Sequence, residues 1–202
     1  MNILEINQKL DKMQPAEIVK WSLEISKNPI ITTNFRPYES AILHLVSRIK
    51  PDIPVIWCDT GYNTTDTYRF ANELINSLNL NIQIYAPKQT RAYRDFMLGI
   101  PEVDTPEHRL FSEQVKLEPF KRAMAEWQPD LWFTNLRHGQ TDFRDKIGIL
   151  SSGKNNELKV SPFYHFSDTD LDVYLAEFNL PNEERYYDPT KALAHRECGI
   201  HA

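Results

Sequence analysis

Ile53-Pro54-Val55-Ile56-Trp57-Cys58-Asp59-Thr60-Gly61-Tyr62 is an apolar run of strand length that breaks into a polar, glycine-containing turn. Just after it, residues 64–78 place Tyr68, Ala71, Leu74, Ile75 and Leu78 on one face at helical spacing. Strand, turn and helix in that order form the unit from which parallel sheets are assembled. The unit recurs on both sides. Upstream, Ile30-Ile31-Thr32-Thr33 reads as a short buried strand, and Ala41, Ile42, Leu45, Val46 and Ile49 mark the helix after it. Pro37 fits the first turn of that helix, and Lys50-Pro51-Asp52 stops it. An amphipathic helix over 15–26 precedes the first strand.

Downstream, Ile82-Gln83-Ile84-Tyr85 and Leu131-Trp132-Phe133-Thr134 supply a third and fourth strand. Helical sequence over 107–127, interrupted near Pro119, lies between them. Leu158-Lys159-Val160 adds an edge strand, and 168–178 a last helix. This alternation predicts an α/β fold: a parallel twisted sheet with helices on both faces. Such sheets bind ligands at the carboxyl ends of their strands. Those ends are Thr33-Asn34-Phe35, Asp59-Thr60-Gly61 and Asn135-Leu136-Arg137. Residues 1–180 are read as an α/β nucleotide-binding domain, and the turn-rich residues 181–202 as a C-terminal tail on its surface.

Composition narrows the function. With 202 residues, 41% hydrophobic and 25% charged, the chain suits one globular domain. A net charge of −5 argues against a nucleic-acid footprint. An anionic ligand must therefore be met by a local cluster of Arg and Lys. No apolar run of about 18 residues occurs, and the first residues lack the layout of a signal peptide. Two cysteines, Cys58 and Cys198, suit a reducing cytoplasm and are too few for a four-cysteine iron–sulfur cluster.

The tail ends His195-Arg196-Glu197-Cys198-Gly199-Ile200-His201-Ala202. A thiol reacts as its thiolate, which Arg196 and the two histidines favour and Glu197 opposes. The plain alternative is an exposed cysteine without a role. A zinc site of His195, Cys198 and His201 is a further reading, but its fourth ligand would have to be the distant His165. Arg137-His138-Gly139-Gln140-Thr141-Asp142-Phe143-Arg144 follows the fourth strand, where two guanidinium groups and an amide could grip phosphate or sulfate oxygens. A solvated loop with ordinary surface pairs is the alternative. Thr32, Thr33, Asn34 and Phe35 lead into a helix, where backbone N–H groups hold anions or a side chain simply caps the helix. Asp59, Thr60 and Gly61 could meet an adenine or ribose edge, or could only turn the chain. Cys58 reads as a buried small hydrophobe. Neither a Ser-Gly-Gly-x-Asp-Ser loop nor a Walker loop is present.

Taken in order, these pieces resemble the phosphoadenosine phosphosulfate (PAPS) reductase family. Arg196-Glu197-Cys198-Gly199-Ile200-His201 resembles its Glu-Cys-Gly-Leu/Ile-His signature, and Arg137-x-x-Gln140-Thr141-x-x-Arg144 is similar to its Arg-x-x-Gln-Ser-x-x-Arg loop. Lys50 to Ile56 with Asp59-Thr60-Gly61-Tyr62 is similar to its second-strand region. The resemblance implies an adenine nucleotide α-hydrolase-like fold, a homodimer, and thioredoxin or glutaredoxin as electron donor. It implies Cys198 as nucleophile, with Arg137, Arg144 and the loop from Thr32 to Phe35 neutralising substrate charge. Gln140, Arg196, His201, Asp59, Thr60 and Gly61 complete the expected binding residues. Iron–sulfur adenosine phosphosulfate reductases carry paired cysteines that this chain lacks, which points to PAPS as substrate with no bound cofactor. Two features depart from the family. Asn34-Phe35-Arg36 stands where Ser-Phe-Gly is common, and Tyr187-Asp188-Pro189-Thr190-Lys191 replaces a longer glycine-containing stretch before the cysteine. Competing readings are an adenine-nucleotide-binding homologue without catalysis and an ATP pyrophosphatase or adenylyltransferase of the same fold group.

Overall fold

Along the central strands, alternate residues enter two different cores, as a sheet covered on both faces requires. A computed structural model describes residues 2–190. In it, β1 (Pro29–Thr33), β2 (Pro54–Cys58), β3 (Asn81–Tyr85), β4 (Leu131–Phe133), β5 (Leu150–Ser152) and β6 (Leu158–Val160) form one sheet. Its order is β3-β2-β1-β4-β6-β5. Neighbours from β3 through β6 pair in parallel, and β5 runs antiparallel to β6 at the edge, so β6 is internal and not the edge strand expected, because β5 pairs along its free side. Ile31, Val55, Trp57, Leu131 and Phe133 face a large core with α3 (Glu39–Ile49), α4 (Thr65–Ser77) and α8 (Asp168–Glu177). Ile30, Ile56 and Trp132 face a smaller one under α7 (Glu118–Trp127). Each such fully buried side chain contributes roughly 1.5–3 kcal/mol relative to exposure.

Three elements go beyond the sequence reading: α1 (Ile3–Leu10), α5 (Arg91–Met97) and β5. Asn7 of α1 exchanges two hydrogen bonds with the backbone of Leu150, each 2.8 Å, and so covers part of the sheet edge. α2 (Pro15–Ile25) packs on α3, as its amphipathic spacing requires. The helical run near Pro119 is irregular rather than broken. α6 (Pro106–Ser112) passes through a π-helical turn, Glu113–Leu117, into α7, and Pro119, which has no N–H to donate, falls just after that turn, where the regular hydrogen-bond ladder is already interrupted. Pro37 lies outside the helix it was expected to open. α3 starts at Glu39, because Tyr38 ahead of it is left-handed with φ 66°.

β1 lies between β2 and β4, so the chain leaves β1 toward one side of the sheet and later returns on the other. A crevice forms at the carboxyl ends where the order reverses. Residues 34–38 and 134–143, the loops after β1 and β4, flank it. No helix among the described residues is long and apolar enough to cross a membrane.

Candidate active site

The loop after β1 owes its shape to the end of the strand. Thr33 accepts a hydrogen bond from the Phe35 backbone N–H at 3.0 Å, which tightens the turn. Phe35 takes a left-handed φ of 55° and is fully buried, edge-on to Trp57 with ring centroids 4.9 Å apart. A left-handed aromatic residue costs energy that packing must offset. Thr32 points to the opposite face and accepts from the Trp132 indole at 2.9 Å. The structure therefore gives Thr32 a fold-bracing bond, whereas Asn34 stays at the crevice.

Arg36 ties the two loops together. Its Nε pairs with Glu39 at 3.0 Å and its Nη2 donates to the Asn135 carbonyl at 2.9 Å. Asn135 answers with a bond from Nδ2 to the Tyr38 carbonyl at 3.3 Å. The loop is thus held open by a cross-strut.

The loop after β4 gathers the predicted anion binders. Arg137 is buried, its guanidinium 5.3 Å from the Tyr38 ring and 2.6 Å from Asp168. Its Nη1 donates to the Phe166 carbonyl at 3.3 Å, while Nε has no partner among the described residues. Arg144 is buried as well, and its Nη1 donates to Gln140 Oε1. That same Gln140 oxygen accepts the Arg137 backbone N–H at 3.2 Å. Gln140 therefore bridges the two arginines, and Tyr164 fixes the far end by donating to the Arg144 carbonyl at 2.7 Å. The buried Arg137 Nε, with its hydrogen-bond donor unmet among the described residues, gains from an anion in the crevice.

The loop after β2 is built differently. Asp59 accepts from Gly61 N–H at 2.9 Å, from Asn63 Nδ2 at 2.9 Å and from the Tyr68 hydroxyl at 2.8 Å. Burial, reinforced by Asp59, pushes the Tyr68 hydroxyl up to about 12. Thr60 accepts the Tyr62 N–H at 3.2 Å, and Gly61 holds φ at 80°, a conformation that a side chain would strain. Burial pushes the Cys58 thiol up to about 12, so it stays protonated and unreactive near neutral pH.

Residues 181–190, read from sequence as a polar surface tail, cross this carboxyl edge in close contact. Tyr38 N–H donates to Asn182 Oδ1 at 2.8 Å, and Ser40 to the Pro181 carbonyl at 2.7 Å. Asn34 Nδ2 donates to the Tyr186 hydroxyl at 2.7 Å. Asp188 then meets Lys116 of the π turn at 2.5 Å, with both side chains more than nine-tenths buried. His108 of α6 bonds the Pro189 carbonyl at 2.9 Å. Sequence reasoning missed Tyr38, Tyr186, Lys116 and Asp188; the one available signal was an aspartate beside a proline in a stretch taken for a turn. Cys198, Arg196 and His201, with the zinc reading's His195, lie outside the described residues. His165, its fourth ligand, sits 2.9 Å from Asp11, and no group of three metal-binding side chains occurs among the described residues.

Comparison with known proteins agrees with this layout. The model of the phosphoadenosine phosphosulfate reductase domain matches residues 28–188. A phosphoadenosine 5'-phosphosulfate reductase of Xylella fastidiosa is 34% identical over 178 residues, 87% of this chain and 75% of that protein. One from Synechococcus is 32% identical over 183 residues, covering 89% and 78% respectively. Among solved structures, the PAPS reductase of Candida auris in a phosphate complex superposes with a TM-score of 0.78 at 22% identity, over 89% of this chain and 87% of that one. The U34-tRNA thiolase NcsA of Methanococcus maripaludis shares the fold more loosely, with a TM-score of 0.58 at 11% identity over 90% of this chain and 67% of that one. Sheet order, crevice and family match converge, and the chain belongs to the phosphoadenosine phosphosulfate reductase domain family.

Proposed function

We propose that this protein reduces PAPS to sulfite and adenosine 3',5'-bisphosphate in sulfate assimilation, using a thiol donor. The observation that carries the reading is the Arg137–Gln140–Arg144 bridge at the switch point of the sheet, set in a chain 34% identical to a PAPS reductase. Both guanidinium groups neutralise the phosphate and sulfate oxygens of the substrate. Asn34 and the backbone around Phe35 add donors on the β1 side, with Thr32 and Thr33 shaping that loop. Asp59, Thr60 and Gly61 form the wall on the β2 side, toward the adenosine.

In the first step the Cys198 thiolate attacks the terminal sulfur of PAPS. The bond from that sulfur to the phosphate oxygen breaks, and adenosine 3',5'-bisphosphate leaves with the electron pair. Arg196 and His201 favour the thiolate and meet the departing charge. The S-sulfonate on Cys198 is then attacked at its Cys198 sulfur by a thiolate of thioredoxin or glutaredoxin, and sulfite departs. The donor's second thiol displaces Cys198 and closes a disulfide, so two electrons pass from donor to sulfur. No bound cofactor, metal or iron–sulfur cluster takes part, and the protein works as a cytoplasmic homodimer. Residues 181–202 act as one unit, in which 181–190 anchor the segment and 191–202 deliver the thiol.

Mass spectrometry after incubation with PAPS, in the absence of thioredoxin, tests this directly. A sulfonate adduct on Cys198 is expected. An unmodified Cys198 together with release of adenosine 3',5'-bisphosphate would overturn the mechanism.

A further inference from the structure

The two faces of the sheet are covered unequally. α2, α3, α4 and α8 contribute to the large core, whereas α7 lies over β2 and β3 on the other face. Beside α7, toward β6, a cavity of about 740 Å³ is lined by Phe120 and Met124 of α7, whose Phe120 ring rests on Trp132 with centroids 5.2 Å apart, and by Trp132 and Lys159 of the sheet. That volume suits a small metabolite.

Lys159 is the unusual member. It is 93% buried, being only 7% exposed, and its ammonium lies 5.3 Å from the Trp132 ring centroid. No carboxylate among the described residues forms an ion pair with it. Glu157, also buried, accepts the Asn155 N–H at 2.9 Å instead. Lys154 stands on the rim, and Lys121 there is paired with Glu113 at 2.6 Å. A ring face returns only part of the solvation that a buried ammonium loses. Burial lowers the Lys159 pKa, the Glu157 carboxylate in the same lining only partly opposes it, and a further negative group in the cavity would add to that opposition.

We propose that this cavity is a second ligand site, which takes a small organic monoanion: a carboxylate or sulfonate on Lys159, with an apolar body against the surface that Phe120, Met124 and Trp132 form together. An inorganic anion would leave the apolar walls unused, and a neutral ligand would leave the ammonium unpaired. The site shares none of its lining with the PAPS crevice and does not rest on the function proposed above. Two of its walls nevertheless reach that crevice. Leu117 closes the π turn that carries Lys116, and the Trp132 indole donates to Thr32 at 2.9 Å.

The experiment uses the whole chain, with phenylacetate and its neutral isostere phenylacetamide as probes in calorimetric titrations. Phenylacetate is expected to saturate one site at least about tenfold more tightly than the amide. Lys159→Met should erase that preference. Ala125→Trp, on the exposed rim of the cavity, should block the probe in a protein whose core is untouched. Equal affinities for the two probes, absence of saturable binding, or undiminished phenylacetate binding in both variants would each overturn the proposal. So would displacement of phenylacetate by adenosine 3',5'-bisphosphate, which would assign the binding to the other crevice.

Discussion

The loops after β2 and β4 leave the same edge of the sheet, each from a buried strand, yet their polar groups are arranged in opposite ways. At the β2 end, Asp59 is saturated by Gly61, Asn63 and Tyr68, and the thiol of Cys58 is held protonated by burial. At the β4 end, Arg137 and Arg144 are buried and share one amide oxygen, and Arg137 Nε is left without a partner among the described residues. A saturated loop holds its shape alone. A cationic loop with one buried donor unmet, at Arg137 Nε, has more to gain from an anion. On the function proposed above, the difference separates a wall from a binding surface.

The sharpest way to break this contrast is to find chemistry at the β2 end. Cys58→Ser should leave sulfite formation nearly unchanged, whereas Cys198→Ser should abolish it in a steady-state assay with PAPS and thioredoxin. Loss of activity in the first variant would reverse the assignment of the two thiols.

The next effect concerns residues 181–190, which run from the loop after β1 to the π turn. Lys116→Met leaves the Asp188 carboxylate buried without its cation, and urea denaturation at neutral pH should show a loss of about 3–5 kcal/mol. Burial by itself raises the Asp188 pKa, but the Lys116 ammonium and the Thr190 bonds outweigh it and hold the carboxyl below its ordinary value of 3.8. Because the folded pKa is depressed, the contribution is fully present above about pH 3.8 and fades as pH falls from there through the folded value. The stability difference between wild type and Asp188→Asn should therefore be constant at neutral pH and shrink below that point. A difference that persists in acid would mean the pair is not what holds the segment.

Smaller still are the arginines. Arg137→Ala and Arg144→Ala should each weaken PAPS binding by about 1–3 kcal/mol, read as a higher KM. The least effect belongs to the wall: Asp59→Ala should cost about 1 kcal/mol of stability and raise KM less than either arginine change. A larger KM effect at Asp59 than at Arg137 would erase the distinction between the loops.

Much of this frame is legible in the sequence because buried parallel strands are short apolar runs with polar ends. β1, β2, β3, β4 and β6 fall where those runs stand, and Arg137, Gln140 and Arg144 come together as their spacing after β4 suggests. What was not legible has physical reasons. α5 buries Arg94 and exposes Tyr93, Phe96 and Met97, so it lacks the apolar stripe by which helices are read. Residues 181–190 are polar and largely half-exposed, and the contact that ties them down is the buried Lys116–Asp188 pair, which hydropathy does not register. Arg36 is a single substitution whose strut to Asn135 depends on a loop 99 residues away.

The π turn at Glu113–Leu117 amounts to one surplus residue in an otherwise α-helical rod. Excising that residue would re-phase α6 against α7 by about 100°, the angle one residue subtends in an α-helix. Lys116 would swing off Asp188 while the apolar stripe of α7 stayed seated on the sheet. A single-codon deletion would thus unlatch residues 181–190 from the helix beside them while leaving the crevice at the carboxyl ends of the strands in place.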